Sequence, residues 1–208
     1  MKVTINNLSQ TGHANIAIRC PHCGHNGTFI SIGQDMYESQ QNLIIGQRRC
    51  PNEKCRGHIF FISQPNGEII RTFPSDTIPF DKTGIPDRIL DAFTEAITCH
   101  ANNCFIASAI MIRKTLEEIC SHEASTGKNL KDRLKDLGSK IMIPRELIEG
   151  MDELRLLGND AAHIEANTFE EIGKNEIEIS IEFTKEILKA SYQYEDLLTK
   201  LRSLKKPS

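Results

Sequence analysis

Two hydrophobic periodicities divide the chain. Residues 28–32 (TFISI), 58–62 (HIFFI) and 68–71 (EIIR) are short runs rich in β-branched and aromatic residues, and they predict strands. Pro65-Asn66-Gly67, between the last two, predicts a hairpin turn. Beyond residue 86 the apolar positions recur every three or four residues, which is the helical period. Pro86 fits the first turn of a helix reaching about Cys99. A second helix is expected from Asn103 to Ser121, with Phe105, Ile106, Ala109, Ile112, Leu116 and Ile119 on its apolar face. Thr126-Gly127 breaks it. A short amphipathic helix from Asn129 to Leu137 is expected to end at Gly138, and Pro144 to open another through about Ile164. Thr168 with Glu171 fits a capping box for a last helix running to about Lys205. Within that helix, residues 177–183 alternate as a strand would. A helix is the better reading, because Ile181, Ile187, Leu188 and Tyr194 continue the apolar face with no breaker. Residues 73–86, FPSDTIPFDKTGIP, carry three prolines and a glycine. The expected organisation is a β domain over 1–73, a linker over 74–85 and a helical domain over 86–206.

Composition narrows the class. The chain has 208 residues, 39% hydrophobic and 25% charged, as in ordinary globular proteins. No apolar run approaches the roughly 18 residues of a membrane span. The first residues, MKVTINNLSQ, lack the basic-then-apolar pattern of a secretion signal, so a cytoplasmic location is expected. A net charge of −3 excludes a strongly basic nucleic-acid wrapper. Charge is uneven, however. Residues 1–75 hold seven Lys/Arg and four Asp/Glu, formally +3, and residues 76–208 are formally −6.

The seven cysteines fall into two sets. Cys99, Cys104 and Cys120 lie in helical sequence, where a free thiol packs as a small hydrophobe. Cys20, Cys23, Cys50 and Cys55 form two close pairs with 26 residues between them. Cys20-Pro21-His22-Cys23-Gly24 is a tight turn aiming two sulfurs at one centre, and Cys50 to Cys55 is a looser second loop. Two such loops match the four soft tetrahedral ligands that Zn²⁺ prefers. A structural zinc site on these four cysteines is therefore expected; its four thiolates and one Zn²⁺ would bring residues 1–75 from +3 to about +1, so no strong basic patch is expected there. It would also explain how so small a segment folds, since a core of this size rarely suffices alone. His22, His25 and His58 are read as loop residues rather than ligands.

The second chemical signal is Leu154 through His163, LRLLGNDAAH. Steps of four turn a helix by about 40°, so Arg155, Asn159 and His163 form one polar stripe. Leu154, Leu157, Ala161 and Ile164 form an apolar edge beside it. Gly158 inside a helix costs roughly 1 kcal/mol relative to Ala, which suggests close approach of another backbone or a ligand. The stripe has three readings: a hydrogen-bonded seam, a binding surface, or a catalytic group in which a near-neutral imidazole acts as acid or base. Arg113 and Glu117, spaced i, i+4, are expected to form an ion pair.

At these residues the chain resembles the bacterial domain-of-unknown-function 4145 family, a helical domain often preceded by a zinc ribbon. The resemblance spans about residues 84–204. It rests on Ile85-Pro86, on residues 112–120 (IRKTLEEIC), and on Leu154 through His163. That family is similar to the wider HEPN group (higher eukaryotes and prokaryotes nucleotide-binding). The resemblance implies an α+β fold, mainly α, with a small zinc-ribbon β domain followed by a HEPN-like up-and-down helical bundle. It also implies a homodimer. Many HEPN proteins are metal-independent endoribonucleases of toxin or anti-phage systems; others bind nucleotides or are non-catalytic partners. Active members carry Arg, a polar residue, and His four to six residues after the Arg. Asn159 and His163 match the polar residue and the His. Gly158 stands where the Arg would be, and the nearest Arg is Arg155, with seven residues between it and His163. On the enzyme reading His163 is the acid or base for attack of a 2′-hydroxyl on its own phosphate, Arg155 stabilises the phosphorane, and Asn159 orients either group. On the alternative reading the chain is a non-catalytic dimeric adaptor that grips a protein partner through its zinc ribbon.

Overall fold

The computed structural model describes residues 4–163, 165 and 168–205. The chain is α+β and divides into two compact units, Met1–Pro79 and Phe80–Ser208.

The first unit is antiparallel. Its strands are β1 (Leu8–Thr11), β2 (Ala17–Arg19), β3 (Asn26–Thr28), β4 (Ile30–Ser31), β5 (Asp35–Glu38), β6 (Leu43–Arg49), β7 (His58–Ser63) and β8 (Ile69–Phe73). The main sheet runs β1-β5-β6-β7-β8, with β4 beside the end of β6; β2 and β3 form a separate ribbon. The TFISI run is therefore two strands rather than one. Buried Phe29 is the pivot between them, its N–H donating to the Ile16 carbonyl as the chain crosses from ribbon to main sheet. The expected hairpin joins β7 to β8, with Gly67 at φ +90° in its turn.

The largest fully buried side chain is charged. Arg48, on β6, makes a two-pronged ion pair with Asp35, on β5, at 2.7 and 2.6 Å. Its remaining donors reach the Gln47 and Ala14 carbonyls, both at 2.7 Å, and the Ala14 N–H returns to Asp35 at 2.8 Å. The guanidinium lies 4.6 Å from the centre of the Phe61 ring. Gly46 makes the arrangement fit: a Cβ there would stand 2.2 Å from Asp35 Oδ1 and 2.6 Å from the Phe61 ring. Burial pushes the Asp35 carboxyl up, but the bonds from Arg48 and Ala14 outweigh it and hold the group below its ordinary value of 3.8. A second buried carboxylate, Glu38, accepts the Gln41 N–H at 2.6 Å, which holds it below the usual range despite burial.

The second unit is helical: α1 (Asp87–Ala101), α2 (Phe105–His122), α3 (Leu130–Lys140), α4 (Arg145–Ala162), α5 (Lys174–Leu188), a π-helical turn over Lys189–Gln193, and α6 (Tyr194–Ser203). α2 is central and packs on α1, α3, α4 and α5. α1 buries Ile89, Ala92, Phe93, Ala96 and Ile97, spaced for one helical face. The buried face of α2 is Ser108, Ala109, Ile112, Thr115, Leu116, Ile119 and Cys120. Ala109, Ile112, Leu116 and Ile119 are buried as expected, whereas Ile106 is exposed. The small side chain of Ser108 lets α1 close in, its hydroxyl donating to the Ala96 carbonyl at 2.8 Å. The alternating stretch is helical. α5 buries Ile177 and Ile181 and leaves Ile179 in solvent, which a strand face would not do.

Three helix ends depart from expectation. Gly138 does not end α3, which continues to Lys140; the glycine sits against Ile148, where an added Cβ would be 3.2 Å from its Cδ1. Thr168 does not open a helix. Its N–H and hydroxyl donate to the Asp160 carboxylate, and α5 starts at Lys174, with Glu176 Oε2 accepting the Gly173 N–H at 3.0 Å. α4 stops at Ala162, before His163; Ile164 lies outside the described residues. The proline-rich segment is tied down in both units. Arg19 donates to the Thr77 carbonyl at 2.5 Å in the first, and the Phe80 ring meets Phe93 edge-on at 4.8 Å in the second.

Removing one partner of the Asp35–Arg48 pair strands the other in the interior. Arg48→Met is expected to cost about 3–5 kcal/mol, and Asp35→Asn with Arg48→Met to recover part of it. Urea unfolding followed at the sheet measures both. Because the folded pKa of Asp35 is depressed, its contribution is present above pH 3.8 and lost as pH falls through the folded value. Asp35→Asn removes that component of acid lability.

Candidate metal centre and the helical polar stripe

Each cysteine pair occupies a loop between two paired strands. After β2, the loop is closed by Cys20 N–H to the His25 carbonyl at 2.8 Å and by Gly24 N–H to the Cys20 carbonyl at 2.9 Å; Gly24 has φ +74°. After β6, Cys50 N–H donates to the Gly57 carbonyl at 2.8 Å, and the Cys55 and Arg56 N–H groups both donate to the Asn52 carbonyl at 2.9 Å. Arg56, at φ +50°, takes the left-handed position that Gly24 takes in the first loop. The two loops are thus variants of one knuckle.

They bring all four sulfurs within 4.8 Å of one another. Cys20 and Cys55 are 3.9 Å apart, and Cys23 and Cys50 are 3.8 Å apart. A disulfide needs about 2.05 Å. A tetrahedron with metal–sulfur bonds of about 2.3 Å has an edge of about 3.8 Å. The spacing therefore fits four ligands around one ion. Backbone and side-chain donors aim at the sulfurs: Gly57 N–H lies 3.3 Å from Cys55 Sγ and Asn52 Nδ2 3.8 Å from Cys23 Sγ. The His25 N–H draws the Cys23 thiol down to about 7, whereas burial pushes Cys50 up to about 12. A dication at the centre would hold every sulfur as thiolate. Cys20 and Cys50 pack with Phe29 and Ile59, with Ile18 and Cys55 alongside, so the thiols are also the core here. Of the three spare histidines, His22 is committed to the His58 carbonyl at 2.9 Å, and all three side chains are exposed.

The helical stripe is less uniform. Arg155 and Asn159 are half-buried within α4, whereas His163 is the exposed residue capping its C-terminus, with extended backbone at φ −133° and ψ 119°. The His163 N–H still donates to the Asn159 carbonyl at 3.0 Å. Arg155 Nε is paired with Asp152 Oδ1 at 2.6 Å. Gly158 is buried at the α2–α4 crossing. A Cβ there would lie 2.4 Å from Arg113 Cβ and 3.1 Å from the Ala109 carbonyl oxygen, so the glycine serves helix packing. Arg113 links the two helices, donating to the Arg155 carbonyl at 3.3 Å while its Nε stands 3.4 Å from Glu117. Asp160 anchors the following loop through the N–H groups of Thr168 and Phe169. Sequence reading did not find Asp152, in the middle of α4, or Asp160, near its end; the partner of each lies off the i, i+4 pattern. Beside the stripe, between α4 and α5, lies an apolar cavity of about 330 Å³ lined by Leu154, Leu157, Phe169, Ile179 and Phe183.

A helical unit built around α2 and preceded by a β unit that converges four thiols defines an α+β protein with a metal-site candidate. The family model for DUF4145, a domain of unknown function, matches residues 94–206, and the chain belongs to that family. No curated protein and no solved structure matches the chain. Among the described residues, no helix is long and apolar enough to cross a membrane.

Gly57 tests the metal centre without removing a ligand. Its Cβ would stand 2.3 Å from the His22 ring and 3.1 Å from Cys55 Sγ. Gly57→Ala is expected to weaken cobalt or zinc binding roughly 10–100-fold, the usual range for changes just outside the ligands. Competition with a chromophoric chelator measures it.

Proposed function

We propose that the protein is a zinc-ribbon protein with a HEPN-like helical domain, acting on RNA as a cleaving or binding component of a toxin or anti-phage system. Cys20, Cys23, Cys50 and Cys55 would hold the zinc. Four thiolates leave no open position, so the ion supplies folding energy to the β unit and takes no part in chemistry. The observation that carries the RNA reading is the exposure of His163 at the end of the helix that holds Arg155 and Asn159. An imidazole in solvent can meet a ribose hydroxyl and exchange its proton, and a guanidinium about two turns away can meet the phosphate. One chain brings one such group. Two copies would supply both the acid and the base.

The exposed side chains of α6 support such pairing. Tyr194, Leu197, Leu198, Leu201 and Leu204 stay in solvent along one stripe, and among the described side chains of α6 none is buried. Asp196 lies in the first turn of that helix, and Lys200 and Arg202 in its last. An antiparallel second copy would match opposite charges.

The second reading, a non-catalytic adaptor, is favoured by one contact: Asp152 already occupies Arg155 Nε, which leaves the arginine fewer free donors. RNA degradation separates the readings. Zinc-loaded wild type is expected to cleave single-stranded RNA in magnesium-free buffer near pH 7, with His163→Ala at least about 100-fold slower. Equal rates for the two proteins exclude the nuclease.

A further inference from the structure

The main sheet has an inner and an outer face, and the outer one carries side chains that folding does not use. Strand register aligns three rows across β6, β7 and β8. Gln47, Phe60 and Phe73 form the central row. Ile30, Arg49 and His58 form a row on one side, and Ile45, Ile62 and Arg71 a row on the other. The pleat sends the alternate residues Arg48, Ile59, Phe61 and Thr72 inward, and all four are buried. Phe60 and Phe73, in contrast, keep 49% and 48% of their surface exposed. The inner face has its own aromatic, Phe61, so the core does not need these two rings.

Basic side chains border the rings. The His58 ring lies 4.8 Å from Phe60, centre to centre, and the Arg71 guanidinium lies 5.6 Å from the centre of the Phe73 ring. Arg49 is exposed beside His58. None of the three rows contains a carboxylate, so Arg49 and Arg71 leave this face locally cationic, although four thiolates and one Zn²⁺ would bring residues 1–75 as a whole from +3 to about +1. Adjacent exposed rings on a flat, locally cationic sheet are what unpaired bases need: a π-surface to stack on, with positive charge for the backbone. A duplex keeps its bases stacked on each other, and the three rows offer no helix to enter a groove.

We propose that this outer sheet face binds single-stranded RNA, with Phe60 and Phe73 stacking two bases and Arg49, His58 and Arg71 contacting the backbone. The choice of RNA over DNA rests on the function proposed above; the platform itself does not depend on the α4 stripe.

The test is fluorescence anisotropy with labelled single-stranded RNA, its duplex, and single-stranded DNA of the same sequence. It uses full-length, zinc-loaded protein carrying His163→Ala, so that binding is read without cleavage. Phe60→Ala and Phe73→Ala are each expected to weaken RNA binding about tenfold or more, whereas Phe60→Tyr, which keeps the ring, stays near the parent. Arg49→Gln and Arg71→Gln are each expected to lower the slope of log affinity against log salt by roughly 0.7. Unchanged metal content and circular dichroism show that the variants fold. No binding of single-stranded RNA, or Phe→Ala variants that bind as the parent does, overturns the platform. Tighter binding of DNA than of RNA overturns RNA as its ligand. Failure of the nuclease shows separately, as wild type and His163→Ala leaving RNA equally intact while the Phe variants still lose binding.

Discussion

Four sulfurs held within 4.8 Å of one another are too far apart to be disulfides and stand at the spacing that four ligands of one ion take up. That convergence is the constraint on which the β unit depends. The two knuckles, the left-handed turns at Gly24 and Arg56, and the close approach of Gly57 to His22 all serve to hold the sulfurs together. Phe29 and Ile59 pack directly on them, so the same contacts that define the centre also define the core around it. On the same inner face of the sheet, where Arg48 pairs in register with Ile59, buried Arg48 and Asp35 do the corresponding task with an ion pair, made possible by the missing Cβ of Gly46. A unit of fewer than eighty residues thus relies on polar centres more than on apolar volume.

With its inner face fixed in this way, the sheet can leave aromatic residues outside. Phe60 and Phe73 sit on the same strands as Ile59, Phe61 and Thr72 but face the other way. The helical unit follows a different logic. Its core is continuous across α1, α2, α4 and α5, and small residues set its close contacts: Ser108 toward α1 and Gly158 between α2 and α4. The polar end of α4 is left at the surface of this packing, with Arg155 and Asn159 half-buried and His163 exposed. In the proposed function the two surfaces divide the work between holding RNA and acting on it.

Local rules made much of this legible. The paired cysteines, the Pro65-Asn66-Gly67 hairpin and the three-to-four spacing of apolar residues each reflect interactions within a few residues of one another. Gly158 was also readable, because an interior glycine in a helix carries a cost that only a neighbour can offset. What escaped was set by distant partners. β5 and β6 carry Asp35 and Arg48, thirteen residues apart, and no local pattern marks them as a pair before the strands bury them against each other. Thr168 and Glu171 have the spacing of a cap, but Asp160, eight residues before Thr168, takes its N–H and hydroxyl. The end of α4 at Ala162 has no breaker to mark it, so the apolar period carries the expected helix two residues too far and takes His163 inside it. Gly138 was misread for the opposite reason: Ile148 packs over it and the helix continues.

The most direct test of this account is the coordination of the metal in protein purified without chelators. Elemental analysis with zinc-edge X-ray absorption is predicted to show about one zinc per chain, surrounded by four sulfurs at about 2.3 Å. Protein that is well folded with no bound metal, or a first shell containing nitrogen or oxygen in place of any of the four sulfurs, would contradict it.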